Sequence, residues 1–331
     1  MIQSFRTTRR SAGFTLVELL VVVAIIALLI GVLLPALAGA RSSGFQMKGA
    51  ANQKQMVLGL HRWANENDMQ IPGTNTSGRS LQNLDSEDST NKLSRSADRP
   101  TQNFDWLSPA IGTDSLPEPR ALRFIRIWQD FGDPTSTDVL PTSSITNANT
   151  ALVAALDQAS GMPMPSILMP ASWQWAGDTP GTDRVVQRAT EASVAKLPTT
   201  WFPRMTNIGA ESRKVAIADG TFMPKSPGSA VTINGDIWAD PKQADEYGAF
   251  CSTTPIRKDS INYNQKSVDV EMAYRHRNKM NAGFWDGHSE PLSIRASQDP
   301  NLWYPKGTIL GSSGVLTETA LQFMKANDKI Q

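Results

Sequence analysis

Arg9-Arg10-Ser11-Ala12-Gly13-Phe14-Thr15-Leu16-Val17-Glu18-Leu19-Leu20 leads into an apolar run that sets the layout of the whole chain. From Leu19 to Ala40 there are 22 residues without a charge, mostly Leu, Val, Ile and Ala, interrupted only by Gly31, Pro35 and Gly39. At ~1.5 Å per residue a helix of that length covers ~33 Å, enough to cross a bilayer core. A secretory signal, a plain anchor and a processed membrane segment all begin this way. Ala36-Leu37-Ala38 and Ala38-Gly39-Ala40 offer small-x-small cleavage sites, but the run exceeds the roughly 7–15 residues of a secretory signal. Glu18 is the discordant residue, because a carboxylate carried to the centre of a membrane helix costs on the order of 2–3 kcal/mol.

The leader arginines, Gly13, the segment Phe14-Thr15-Leu16-Val17-Glu18 and the charge-free run together resemble the signal of type IV pilins and type II secretion pseudopilins. That resemblance implies cleavage by a prepilin peptidase between Gly13 and Phe14, and methylation of the new N-terminal Phe14. Glu18 becomes the fifth residue of the mature chain, where it is expected to meet the N-terminal amine of a neighbouring subunit. A carboxylate buried in an apolar bundle needs such a cation. Pro35 stands where many pilins carry a proline, and a proline inside a helix removes a hydrogen bond and favours a kink. Flanking charge leaves the orientation open: Arg6, Arg9 and Arg10 precede the run, and Arg41, Lys48 and Lys54 follow it.

Beyond the run, Ser42 to Asp68 contains no proline, and Met56, Leu60 and Trp63 recur on one helical stripe. A single spine helix from Phe14 to about Asn67 is expected, stopped before Pro72. His61 reads as an exposed residue on it. Gly73 to Asn103 reads as a long polar loop. Leu122, Ile125 and Trp128 are at helical spacing, and Thr150 to Gln158 suits another short helix.

Arg213 to Asp219 reads as a buried strand ending at Asp219-Gly220, and Ser267 to Arg275 as a second strand. Asn281 to Trp285 and Ser289 to Arg295, joined through Asp286-Gly287, read as a hairpin with a two-residue connection. The two Asp-Gly units share a pattern and suggest neighbouring strands of one antiparallel sheet. Leu316, Ala320, Phe323 and Met324 suggest a closing helix. The expected fold is α+β: a long N-terminal helix carrying an antiparallel-sheet domain. The expected divisions are a leader at 1–13, a membrane and polymerisation helix at 14–40, its continuation at 41–70 and an exported domain at 71–331.

His276 followed by nine residues and Asp286-Gly287 resembles the H-x9-DG signature near the C-terminus of a prepilin-like family abundant in planctomycetes. His276, Asp286 and His288 are candidate metal ligands, since two imidazoles and a carboxylate can hold zinc. Against this, a turn at Gly287 disturbs their geometry; Asp286 then shapes the hairpin, while His276 bonds a backbone group or Asp286. Calcium needs six to eight oxygens, and Asp240 with Asp245-Glu246 is the nearest acidic group.

The 32 basic and 31 acidic residues give no nucleic-acid footprint. Loss of Arg6, Arg9 and Arg10 with the leader leaves 29 basic residues, so the mature chain is nearly neutral. Cys251 is the single cysteine, which excludes an intramolecular disulfide and reads as a small buried apolar residue. Among nine tryptophans, Trp173, Trp175 and Trp201 could line a carbohydrate surface, though aromatics more often fill cores. No phosphate-binding glycine loop, nucleophile elbow or His-Glu-x-x-His is present.

The expected role is therefore structural and not enzymatic, with no cofactor and no nucleic acid. The implied partners are a prepilin peptidase, other pilin-like subunits, inner-membrane assembly machinery and membrane lipid. The implied place is the inner membrane, single-pass, with the large domain outside the cytoplasm, or a filament after assembly. One alternative is a non-polymerising anchored protein that binds a glycan or envelope component; another is an exported hydrolase using His276 and Asp286.

Overall fold

The computed structural model describes residues 15–72, 106, 111, 120–136, 139–140, 145–146, 154, 157–163, 166–174, 178–179, 182–183, 185–186, 194–220, 233–234, 255–256, 258 and 274–331. The chain has the α+β layout expected, a long apolar N-terminal helix followed by a domain with an antiparallel sheet. It divides into two units at Gly44/Phe45.

Helix α1 runs from Leu16 to Glu66. Pro35 lies inside it and the helix continues on both sides. In the first unit its large apolar side chains are exposed, from Leu16 through Leu28 and Val32 to Leu37. The second unit begins with the remainder of α1, where Gly49, Gln53, Met56, Val57, Leu60 and Ala64 form a buried stripe at helical spacing. Met56 and Leu60 are buried as their spacing implies, while Trp63 is only half-buried. His61 departs from expectation: it is half-buried, and its Nε2 bonds the Trp285 carbonyl. The helix ends as the Met69 amide reaches back to the Ala64 carbonyl at 2.8 Å, with Asp68 and Met69 at positive φ. The Ile71 amide then bonds the Pro203 carbonyl, pinning the exit to the domain.

The main sheet has the spatial order β4-β3-β2-β1, where β1 is Ile167–Leu168, β2 Val215–Asp219, β3 Lys279–Phe284 and β4 Ser289–Ser293. All its pairings are antiparallel. The two Asp-Gly units are indeed neighbours: Ala282 faces Ala218 and Gly283 faces Ile217, with a bulge before Phe284. Every residue of β2 is buried, so this central strand is covered along its length. Gly283 admits α1: a Cβ there would lie 3.2 Å from both the Val57 and Ile217 side chains. Smaller pairings lie outside this sheet. They include a three-stranded antiparallel set at Val185–Val186, Ala195–Lys196 and Ile309–Leu310, and a parallel pair at Ile145–Thr146 and Ile233–Asn234.

The connection after β3 is longer by one residue than the two expected. The Gly287 amide bonds the Phe284 carbonyl at 2.9 Å and the Phe284 amide bonds the His288 carbonyl at 2.8 Å, enclosing Trp285, Asp286 and Gly287. Gly287 has φ +91°, so the loop is a turn closed by a left-handed residue, for which glycine is suited. Helix α2, Arg120–Phe131, spans the expected apolar spacing and buries Ile125 and Trp128. The closing helix α3 is shorter than its apolar spacing suggested, Glu318–Phe323, with Thr317 as its cap.

Trp173 and Trp201 are core residues, which removes them from any carbohydrate surface. Trp173 meets Trp201 and Trp285 edge-on at ring distances of 5.8 and 5.7 Å, and its Nε1 donates to the Val215 carbonyl. Trp175, Cys251, Asp240, Asp245, Glu246, the loop at 73–103 and most of the expected elements at 150–158 and 267–275 lie outside the described residues.

Candidate functional site

The first turn of α1 is built around Glu18. Its Oε2 accepts the Thr15 backbone N–H and the Thr15 hydroxyl, both at 2.8 Å, while the Thr15 Oγ1 accepts the Glu18 N–H at 3.2 Å. This is a capping box: Thr and Glu three residues apart satisfy each other's otherwise unpartnered amides at a helix start. Thr15-x-x-Glu18 carries that signature in its sequence, a local role for Glu18 beside the intersubunit one the resemblance implies. The carboxylate at the head of the apolar run therefore has partners within its own helix. Gly13 and Phe14 lie outside the described residues.

From Leu16 onward α1 is long and apolar enough to cross a membrane, and the apolar window is exposed throughout. Residues 8–34 match a known family, described as the prokaryotic N-terminal methylation motif.

The chain carries a prepilin-type signal.

That motif supports a pilin-like or pseudopilin-type precursor, and the apolar helix fits a single-pass anchor. No curated protein and no solved structure matches the chain.

The domain holds a second constellation, which the sequence did not bring together. His276 does not pair with Asp286. The two stand at opposite ends of β3, whose six residues at ~3.3 Å each separate them by roughly 20 Å. Asp286 instead bonds His288, whose Nδ1 lies 2.5 Å from Asp286 Oδ1 and whose ring stacks on Phe284 at 4.2 Å. Both are exposed, so His276, Asp286 and His288 do not form one ligand set. Burial alone would raise the Asp286 carboxyl, but the His288 backbone and side-chain hydrogen bonds hold it below the usual range. Asp286 and Gly287 shape the loop that closes the hairpin.

His276 turns inward. It precedes a tight two-residue turn at Arg277 and Asn278, both at positive φ, with reciprocal backbone bonds between His276 and Lys279. Its Nε2 lies 2.8 Å from Asp133 Oδ2 and 3.6 Å from Asp219 Oδ2. Asp133 follows the end of α2; its amide bonds Ser166 Oγ at 2.7 Å and its Oδ1 accepts the Thr135 amide at 2.8 Å. Asp219 ends β2 and accepts Gln53 Nε2 from α1 at 2.8 Å and the Asn281 amide from β3 at 2.7 Å. The Arg275 guanidinium donates to the carbonyls of Ser166 and Gly220. Four parts of the domain therefore converge: α1, the loop after α2, β2, and β3 with the turn before it.

Asp133, Asp219 and His276 are all essentially closed to water. Burial, then repulsion from Asp133, pushes the Asp219 carboxyl up to about 7, against the opposing pull of Arg275 and the Asn281 amide. Burial also tends to raise Asp133, but the His276 hydrogen bond, the Arg275 charge and the Thr135 hydroxyl outweigh it and hold it low. Gln53 Oε1, Asn281 Oδ1 and His276 Nδ1 are buried and have no hydrogen-bond partner among the described residues. Gly49 faces the cluster: a Cβ there would lie 3.1 Å from both Asp133 Oδ2 and Asn281 Nδ2, and 3.8 Å from His276 Nε2.

Proposed function

We propose that the chain is the precursor of a structural pilin-like subunit and not an enzyme. A prepilin peptidase cuts between Gly13 and Phe14 and the new Phe14 amine is methylated. The apolar half of α1 then holds the protein in the inner membrane, with the large domain on the extracytoplasmic side. Assembly machinery draws subunits from the bilayer into a bundle of a type IV pilus or type II secretion-like system. Packing of Leu, Val and Ile between helices replaces lipid, and Glu18 exchanges its Thr15 partners for the amine of a neighbouring subunit.

The observation that carries this reading is the methylation motif at residues 8–34, placed at the head of a membrane-length helix whose apolar side chains are exposed. Charge pairing supports the exchange at Glu18. Its bonds to Thr15 come from neutral donors, whereas an amine brings a full opposite charge to the carboxylate, an attraction that strengthens in an apolar bundle. The test is co-expression with a prepilin peptidase. Wild type is expected to lose residues 1–13 and gain one methyl group, while Gly13→Val stays full length. Processing of both alike, or of neither, contradicts the proposal. Glu18→Ala is then expected to be processed but absent from sheared filaments; an anchored protein that never polymerises is indifferent to that change.

A further inference from the structure

We propose that the buried cluster of Asp133, Asp219 and His276 is a structural site for a first-row divalent metal ion, with zinc as its reference ion. One ligand atom from each of the three residues lies within 4.8 Å of the others. A tetrahedral ion with bonds of about 2.0–2.2 Å to carboxylate oxygen and imidazole nitrogen draws together donors spaced in this way. The mixture of one imidazole with two carboxylates suits zinc and its neighbours, whereas calcium and magnesium sites are built from oxygen.

Two further features separate this cluster from an ordinary buried ion pair. Gln53 and Asn281 both bond to Asp219, and the carboxamide oxygen of each has no donor among the described residues, although both side chains are almost wholly buried. Buried acceptors in a native fold are normally satisfied, and these two are on the residues that hold a proposed ligand in place. A cation accepts a lone pair from one of these oxygens as its fourth ligand, whereas a proton on His276 supplies neither oxygen with a donor. The second feature is Gly49. A glycine inside a helix is unfavourable relative to alanine, yet it stands where a side chain would press on Asp133 and Asn281.

The chemistry is binding only. His276 is neutral with its Nε2 lone pair toward the ion and its proton on Nδ1, and both carboxylates are ionised; metal uptake expels whatever proton Asp219 or Nε2 held. A shell closed to water has no open position for substrate, so the ion ties α1 to the sheet and to the loop after α2. This set shares only His276 with the grouping of His276, Asp286 and His288.

The experiment uses the full-length protein in detergent micelles, purified without chelator. Metal content is measured by elemental mass spectrometry, then again after chelator treatment and back-titration with zinc. The expected result is one tightly held ion per chain. Zinc at 100 times its dissociation constant is expected to shift the unfolding equilibrium about 100-fold. Cobalt(II) substitution is expected to give the intense visible bands of a four-coordinate site. His276→Gln and Asp219→Asn lose the ion, and His288→Ala keeps it. Should those two variants fail to fold, the wild-type stoichiometry, zinc response and cobalt spectrum still decide the matter. Absence of bound ion and of any zinc response overturns the proposal, as does an aqua-type cobalt spectrum. Loss of the ion in His288→Ala with retention in His276→Gln overturns it too, and assigns the metal to the hairpin loop.

Discussion

Gly49→Ala tests whether the buried cluster is packed as described, and Gly44→Ala supplies its control on the same helix. Each change adds one methyl group and improves helix propensity by about 1 kcal/mol. At Gly44 nothing lies within 4 Å of the new carbon, so the change is neutral or stabilising. At Gly49 the carbon arrives 3.1 Å from Asp133 Oδ2 and Asn281 Nδ2, both atoms already committed to hydrogen bonds. Overpacking of that kind costs about 1–3 kcal/mol. Displacing Asn281 Nδ2 from the Gln46 carbonyl removes a hydrogen bond worth about 0.5–1.5 kcal/mol. The helix gain is common to both variants, so they are expected to differ by about 1.5–4.5 kcal/mol, with Gly49→Ala the less stable. Urea titration of the detergent-solubilised chain reads this through the fluorescence of the buried Trp173, Trp285 and Trp303. Equal midpoints for the two variants, or a more stable Gly49→Ala, refute the placement of α1 over the cluster.

Further expectations follow from the same contacts. His276→Ala leaves two buried carboxylates facing each other and is expected to cost about 3–5 kcal/mol in urea unfolding; a loss below 1 kcal/mol contradicts the pairing. Gly287→Ala forces a methyl group into left-handed backbone with only Leu58 nearby, at 3.8 Å, so backbone strain of about 1–2 kcal/mol is the whole expected cost. Gly287→Asn is expected to be milder, and equal losses would point to a steric cause instead. Lys214 is buried with its ammonium donating to the Asn301 and Gln331 main-chain oxygens, and burial brings it down to about 8 despite the favourable charge of Asp299. Between that value and its ordinary 10.5 the unfolded chain binds more protons than the folded one, so this group adds stability as pH rises through that window. The stability of wild type relative to Lys214→Met is therefore expected to grow from about pH 8 to about pH 10; a constant or shrinking difference contradicts the buried charge.

The parts of the fold that were legible in sequence are those fixed by local chemistry. The charge-free run and the stripe at Met56 and Leu60 specify α1 because helical periodicity repeats within a few residues. The β3–β4 hairpin was visible because Asp286-Gly287 sits between apolar runs, although the one-residue error in loop length shows that an Asp-Gly pair leaves open which turn it makes. Asp219-Gly220 and Asp286-Gly287 looked alike, yet Asp219 is buried under Gln53 while Asp286 is exposed beside His288. Nothing local distinguishes them; burial comes from residues far away in the chain. The cluster around His276 was illegible for the same reason. Its members Gly49, Gln53, Asp133, Asp219 and Asn281 are spread over most of the sequence, and only sheet pairing with α1 laid across it brings them together. Gln53 carried a faint signal, a polar residue on an otherwise apolar stripe. His61 carried none, since its partner is a carbonyl of the hairpin loop.

The central claim is processing at the N-terminus, and intact-mass and N-terminal peptide mass spectrometry on membranes of the native host tests it most directly. The account predicts a mature chain that begins with N-methylated Phe14 and retains Glu18 at its fifth position. A chain starting after Ala38 or Ala40 would instead mark an ordinary secretory signal. An unprocessed Met1 terminus would mark a plain anchor, and either result would contradict the prepilin reading.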